Sequence, residues 1–99
     1  MNLIVTEKAG PHGQLIIVTD EDILGKVFSE GRLQLDLSKD FYQGEKMTEE
    51  AIKELFHRAR HIHLTGKDAV DLGVRLGLVE EKKILFVEGI PHAEVLIES

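Results

Sequence analysis

The sequence predicts one α+β domain over residues 1–99, with two main helices packed on one face of a mostly antiparallel sheet. Strand-like segments lie towards both ends of the chain, and two segments with helical periodicity lie between them. No repeat, low-complexity tract or polar linker divides the sequence. A chain of 99 residues can bury one hydrophobic core without disulfides, and this chain has no cysteine.

The first part of the chain is predicted to be β-structure. Residues 3–6 and 15–18 are apolar and are separated by a Gly-Pro-His-Gly turn, which is typical of a hairpin or of two neighbouring strands. Acidic residues then favour a helix start, but Gly25 ends that segment after about one turn. Two further strands are predicted over residues 26–28 and 32–37, the second from its alternating apolar side chains.

The first full helix is predicted to begin at Thr48, with acidic residues in its first turn and Arg58 and Arg60 in its last. Its apolar side chains have the spacing of one buried helix face, and they are Ile52, Leu55, Phe56 and Ala59. Residues 62–64 are expected to form a short extended link.

The second helix is predicted to run from Thr65 through Leu76. Thr65 and Asp68 resemble a capping box, with Asp in the usual position of Glu. Gly77 is expected to end the helix in the left-handed conformation.

The chain is predicted to close with a hairpin over residues 84–87 and 93–97, whose loop contains Gly89, Ile90, Pro91 and His92. Pro91 fixes its own φ and pushes Ile90 into an extended conformation, so the backbone that presents His92 should be stiff. Two interpretations remain open for His92. It either locks the turn through a hydrogen bond to the backbone or faces a ligand.

Composition excludes several classes of function. The absence of cysteine excludes thiol catalysis and thiolate zinc sites, and it fits a cytoplasmic protein. No run of about 18 apolar residues predicts a membrane span. The net charge of −6 disfavours non-specific attraction to DNA. Phosphate-binding loops, dinucleotide-binding glycines and nucleophile elbows are missing from the sequence, so no cofactor is expected.

Three histidines have a spacing that fits metal ligation. His57 and His61 are one helical turn apart, and His63 follows just past the predicted helix end. The Glu of the His-Glu-x-x-His pattern is missing, because Arg58 follows His57, and the nearby arginines would repel a dication. A solvated helix face is therefore the favoured interpretation, and the metal site is the alternative.

The same region is locally basic in an acidic protein. Residues 55–67 contain no acid but contain Arg58, Arg60 and Lys67 together with the three histidines. This run predicts a local anion site for phosphate or RNA. Cations placed at a helix C-terminus would explain much of the same pattern.

Five segments together resemble the archaeal family catalogued only as domain-of-unknown-function family 424. They are Leu24-Gly25-Lys26, Phe41-Tyr42-x-Gly44, the run Leu64 to Val70, Gly77-Leu78-Val79 and the run Gly89 to Val95. The resemblance implies an archaeal, cytoplasmic, single-domain protein and brings no catalytic residues. In the family pattern the position of His63 is often Asn, and those of His57 and His61 are not histidine.

These observations lead to three hypotheses. The first is a non-enzymatic binding module for RNA or a ribonucleoprotein, related to translation. Its candidate contacts are Lys26, Tyr42, Arg58, Arg60, Lys67, Gly89, Pro91 and His92. The second is a small hydrolase that uses His92 as a general base beside a carboxylate such as Asp40 or Glu94. The third is an adaptor that adds a strand of a protein partner to an exposed sheet edge.

Overall fold

A computed structural model describes residues 2–11 and 13–98. The strands are β1 (Leu3–Gly10), β2 (Gly13–Asp20), β3 (Val27–Glu30), β4 (Leu33–Asp36), β5 (Glu45–Met47), β6 (His61–Thr65), β7 (Leu85–Val87) and β8 (Ile90–Leu96). The α-helices are α1 (Glu49–Phe56) and α2 (Lys67–Arg75), and short 3₁₀ helices occupy Glu21–Ile23, Asp40–Tyr42 and Glu81–Lys83. Within the described residues, no helix has the length and apolarity to cross a membrane.

Six strands form one sheet in the order β5-β1-β2-β6-β8-β7, and β3 pairs with β4 in a separate hairpin. Neighbouring strands are antiparallel except for β2 and β6, which are parallel. The predicted α+β class, with two helices and a mostly antiparallel sheet, is confirmed. The predicted first hairpin is also formed by β1 and β2, although His12 in its turn lies outside the described residues.

The sheet buries apolar side chains on both faces, because alternate residues of a strand point to opposite sides. Helices α1 and α2 cover one face, whose main core members are Leu3, Val5, Ile16, Val18, Ile52, Leu55, Phe56, Ile62, Leu64, Val70 and Leu72. The segment between β2 and β5 supplies Ile23, Leu35 and Leu37, which are buried apart from that core. They accompany Ile4, Leu15, Ile17 and Val87 from alternate positions of the sheet strands. The second face is therefore a second, smaller apolar layer.

Residues 58–66 differ from the prediction both in where helix α1 ends and in the strand that follows it. Residues 62–64, expected to be a link, belong to β6, which is paired with both β2 and β8 in the middle of the sheet. Helix α1 ends at Phe56, so Arg58 and Arg60 lie beyond it rather than in its last turn. Backbone hydrogen bonds to β2 on one side and to β8 on the other stabilise this segment as a strand. Local sequence periodicity contains no information about these distant partners.

The cap of helix α2 also differs from the prediction. Thr65 is the last residue of β6, and Gly66 occupies the N-cap position without a side-chain cap of its own. Instead, Asp20 at the end of β2 accepts hydrogen bonds from the backbone N–H groups of Asp68 and Ala69, at 3.0 and 2.8 Å. The predicted left-handed Gly77 is confirmed, with φ of 74°.

Strand β8 begins at Ile90, three residues earlier than predicted. The turn is made by Glu88 and Gly89, which both have positive φ, at 51° and 78°. Two consecutive positive φ values are typical of the tight turns that match the twist of a hairpin. His92 therefore lies within a strand and not in a loop.

Candidate functional site

Polar side chains converge on the sheet face opposite the two helices, where β6 and β8 are paired. His63 lies directly opposite Glu94, and Thr65 lies opposite His92. His61 is two residues before His63 on the same strand, so its side chain projects from the same face. We call His61, His63, His92 and Glu94 the histidine cluster.

The carboxylate of Glu94 is the centre of the histidine cluster. Its Oε1 is 3.3 Å from Nε2 of His61 and 3.4 Å from Nε2 of His63. Its Oε2 is 3.4 Å from Nε2 of His92. Three imidazoles therefore surround one carboxylate. Their side chains are 19%, 16% and 10% exposed, against 52% for Glu94.

A hydrogen bond to the neighbouring strand holds the ring of His92. Its Nδ1 lies 2.8 Å from Oγ1 of Thr65, and both residues are buried. This hydrogen bond joins two side chains on adjacent strands. It differs from the predicted bond, in which His92 would lock the turn by bonding to the backbone. Because Nδ1 is occupied, Nε2 is the ring nitrogen that faces Glu94.

Aromatic residues of the 3₁₀ helix Asp40–Tyr42 pack beside the cluster. The ring of Phe41 meets His63 edge-to-face at 5.6 Å between centroids, and Tyr42 packs on Phe41 at 5.0 Å. The ammonium of Lys8 lies 5.9 Å from the centroid of Phe41. Burial, with smaller effects from Glu94 and Asp36, raises the pKa of Tyr42, so its hydroxyl remains neutral and able to donate.

An open cleft of about 220 Å³ lies against the cluster. Its polar wall contains Tyr42, His63, His92 and Glu94, and its apolar wall contains Leu33, Leu35, Leu85 and Val87. Two rim residues, Leu33 and Leu85, are 43% and 53% exposed. Apolar walls with a few convergent polar groups are typical of ligand sites, although this cleft suits a fragment rather than a large ligand.

Electrostatics keep His63 neutral and Glu94 charged. Burial lowers the pKa of His63, and the attraction of Glu94 only partly opposes this effect. Burial raises the pKa of Glu94, but the charge interactions with His63 and His92 and the hydrogen bonds from His92 and His61 together outweigh it and lower the pKa. At neutral pH the cleft therefore presents a carboxylate beside a neutral imidazole.

The structure separates the three histidines that the spacing suggested as metal ligands. His57 caps the C-terminus of α1 and lines another surface cleft with Lys53, Phe56, Leu76 and Leu78. His61 and His63 stay together, and Glu94 joins them as the third possible ligand. Glu94 was missed as a ligand because it lies on another strand, although its i, i+2 spacing from His92 on a strand was a usable signal.

The predicted RNA-contact residues do not form one continuous surface. Tyr42 and His92 share the cleft, whereas Lys67 and Pro91 line a groove on the helix side of the sheet. Arg58 forms a 2.9 Å ion pair with Glu7. The remaining predicted contacts are Arg60 next to β6, Lys26 next to β3 and Gly89 in the β7–β8 turn.

The carboxylate required by the hydrolase hypothesis is present. Glu94 approaches Nε2 of His92 to 3.4 Å, whereas Asp40 is not among the residues that line the cleft. This distance fits a general base beside a carboxylate, and hydrolase activity itself stays a prediction.

Strand β7 carries two exposed apolar side chains at the edge of the sheet. Leu85 and Phe86 are 53% and 54% exposed, and they point to opposite faces. Leu85 is on the rim of the histidine cleft, and Phe86 lines the groove between β7 and α2 together with Val70, Val74, Ile84 and Pro91. Among the described residues, no strand pairs with the outer side of β7.

Comparison with known proteins supports the resemblance. A family model described as a protein of unknown function, DUF424, matches residues 7–97. The fold is similar to the crystal structure of an uncharacterized conserved protein from Methanopyrus kandleri, with a TM-score of 0.79 and 23% sequence identity. That match covers 100% of this chain and 96% of the other. No curated protein matches the chain.

Proposed function

Starting from the finding that the chain belongs to the DUF424 family, we propose that it is a protein-binding adaptor whose contact surface is the β7 edge. The observation that carries the proposal is the exposure of Leu85 and Phe86 on an edge strand with a cleft on either side. Exposed apolar edges are sites where another chain can pair. The family itself has no established activity from which a partner could be transferred.

The arrangement around β7 suits an added strand. A strand places successive side chains on opposite faces, so an extended segment paired with β7 would direct them alternately towards the two sides of the sheet. One side offers the histidine cleft, and the other offers the groove beside α2. Backbone hydrogen bonds would supply affinity, and the two depressions would supply selectivity. The expected partner is a protein with an extended segment that carries apolar side chains.

Affinity capture from native extract tests the adaptor proposal. The wild-type chain should recover the same protein partner with and without nuclease treatment. Changing Leu85 and Phe86 together to Lys should reduce recovery at least about tenfold, because charge opposes edge pairing. The matched control is Leu76→Lys, since Leu76 is 37% exposed and lies at the C-terminus of α2. Recovery that the double variant leaves unchanged would contradict the proposal.

RNA binding is the second candidate function, because the cleft brings together Tyr42 and His92, two of the predicted contacts. Unpaired RNA bases are commonly stacked on aromatic rings and recognised along their edges. The ion pair between Arg58 and Glu7 counts against RNA binding, since phosphate would have to displace a carboxylate.

An archaeal origin and a cytoplasmic location also remain predictions.

A pair of opposite charge changes tests the RNA candidate. Arg58→Glu together with Arg60→Glu should abolish binding to single-stranded RNA, and Glu7→Gln should strengthen binding by releasing the Arg58 guanidinium. Affinity should also fall steeply as salt increases. Affinity that neither changes with salt nor differs among these variants would exclude the surface around Arg58 and Arg60 as the RNA site.

A further inference from the structure

We propose that His61, His63 and Glu94 form a binding site for a divalent transition-metal ion of the zinc class. The two imidazole nitrogens and a carboxylate oxygen lie within 4.8 Å of one another. The site is on β6 and β8 and does not depend on the β7 edge.

Two of the three separations between the groups match the spacing of ligands around a metal ion. Glu94 Oε1 is 3.3 and 3.4 Å from the two Nε2 atoms. Ligands bound at about 2.0–2.1 Å in a tetrahedron are about 3.3–3.4 Å apart, which is the edge of that tetrahedron. The two edges that meet at Glu94 therefore have the length expected for ligands of one ion, and all three ligand atoms lie within 4.8 Å of one another.

The donor set selects the class of ion. Imidazole nitrogens suit zinc and its first-row neighbours, whereas magnesium and calcium prefer oxygen ligands. Two histidines and one glutamate are the ligands of one class of catalytic zinc site. Three protein ligands leave a fourth position for water or another molecule. Because His63 and Glu94 also line the cleft, that position is accessible from the cleft.

The local charges permit a dication. Arg58, whose charge seemed unfavourable for a metal, is paired with Glu7. Glu94 contributes one negative charge at the centre of the three imidazoles.

Thr65 and His92 are the residues that position the glutamate. Oγ1 of Thr65 holds Nδ1 of His92 at 2.8 Å, and Nε2 of His92 lies 3.4 Å from Oε2 of Glu94. The other oxygen, Oε1, remains directed at His61 and His63. Outer residues that orient a ligand in this way commonly change metal affinity by about 10–100-fold.

Metal analysis of tag-free protein tests the site. After removal of metals with a chelator, incubation with Zn²⁺ and exhaustive dialysis, we expect one zinc ion per chain. Zn²⁺ should also raise the melting temperature of the wild-type chain, because it binds the folded state. Cobalt(II) bound in place of zinc should give the visible absorption of a four-coordinate ion.

Three variants make the test specific. Glu94→Gln and His63→Gln should each lower zinc affinity at least about tenfold and remove the thermal shift. Glu94→Gln preserves shape at a side chain that is 52% exposed, so the fold should be retained. The control is His57→Gln, which should bind zinc like the wild type because His57 lines a different cleft. Equal zinc retention by all chains, or no retention by the wild type, would overturn the proposal.

Discussion

Oγ1 of Thr65 and Nδ1 of His92 lie 2.8 Å apart on adjacent strands, in a buried position beneath the histidine cluster. The bond joins residues that are directly opposite in the antiparallel pairing of β6 and β8. A buried polar pair of this kind is more costly to break than to replace with apolar groups, because the remaining partner loses its hydrogen bond.

Thr65→Val should destabilise the fold by about 1–3 kcal/mol, because it leaves Nδ1 of buried His92 without its partner. Thr19 provides a matched control on the neighbouring strand, where it lies opposite Thr65. Its hydroxyl is buried and has no hydrogen-bond partner within the described residues, so Thr19→Val should be neutral or stabilising. Denaturant unfolding measures both. Equal losses of unfolding free energy in the two variants would contradict the inferred bond.

Local sequence signals predicted the N-terminus of helix α1 better than that of helix α2. Thr48 caps α1 by accepting the N–H of Ala51, and the predicted apolar face is buried as expected. For α2 the apparent capping box was wrong, because Asp20 from β2 supplies the cap. A cap contributed by a distant segment follows from the parallel pairing of β2 and β6, which local spacing does not encode.

The candidate site was predictable only in parts for the same reason. Strand alternation alone places two pairs of side chains on one face of their strands, His61 with His63 and His92 with Glu94. Their convergence depends on β6 being a strand and on its register with β8. The sequence prediction instead placed His57 and His61 one helical turn apart, with His63 just past the helix end.

Gly66→Ala should destabilise the fold by more than the ordinary cost of a left-handed alanine, which is about 1–2 kcal/mol. Gly66 has φ of 109°, and a Cβ there would lie 2.3 Å from Cγ of Asp20. The methyl group would displace the carboxylate that caps α2. Gly77→Ala is the control, since Gly77 also has positive φ but has open space around it.

Thermal and denaturant unfolding of the two glycine variants should give different losses. Gly77→Ala incurs the strain of a left-handed residue alone. Gly66→Ala adds loss of the Asp20 cap and the strain of a backbone conformation, φ of 109° and ψ of 163°, that is essentially restricted to glycine. Losses of equal size would show that the close approach of Gly66 to Asp20 has no energetic weight.

The ion pair between Glu49 and Arg75 should make stability depend on pH. Arg75 Nη1 lies 2.7 Å from Glu49 Oε1, and this hydrogen bond lowers the pKa of Glu49 below its ordinary value of 4.5. A lowered folded-state pKa contributes stability above the unfolded pKa, and the contribution is lost as pH falls through the folded pKa. Wild type should therefore exceed Glu49→Gln in stability at neutral pH, with the difference vanishing in acid.

Unfolding free energies measured from pH 7 down to about pH 2 check the Glu49 prediction. Glu50→Gln is a suitable control, because Glu50 is 87% exposed and lies 4.0 Å from Lys53. Its difference from wild type should stay small throughout. A Glu49→Gln difference that persists unchanged in acid would assign the effect to packing rather than to charge.

Two reciprocal bonds should protect specific amides where the β3–β4 hairpin meets the β7–β8 turn. The N–H of Glu88 donates to the carboxylate of Glu30 at 2.7 Å, and the N–H of Ser29 donates to the carboxylate of Glu88 at 2.6 Å. Each carboxylate thus protects the amide of the other segment. Glu30→Ala should accelerate hydrogen exchange at the Glu88 amide, and Glu88→Ala should do so at Ser29. The Ser29 amide in Glu30→Ala is the internal control, because it should stay slow if the two bonds act independently. Unchanged exchange at both opposite amides would show that neither carboxylate protects them.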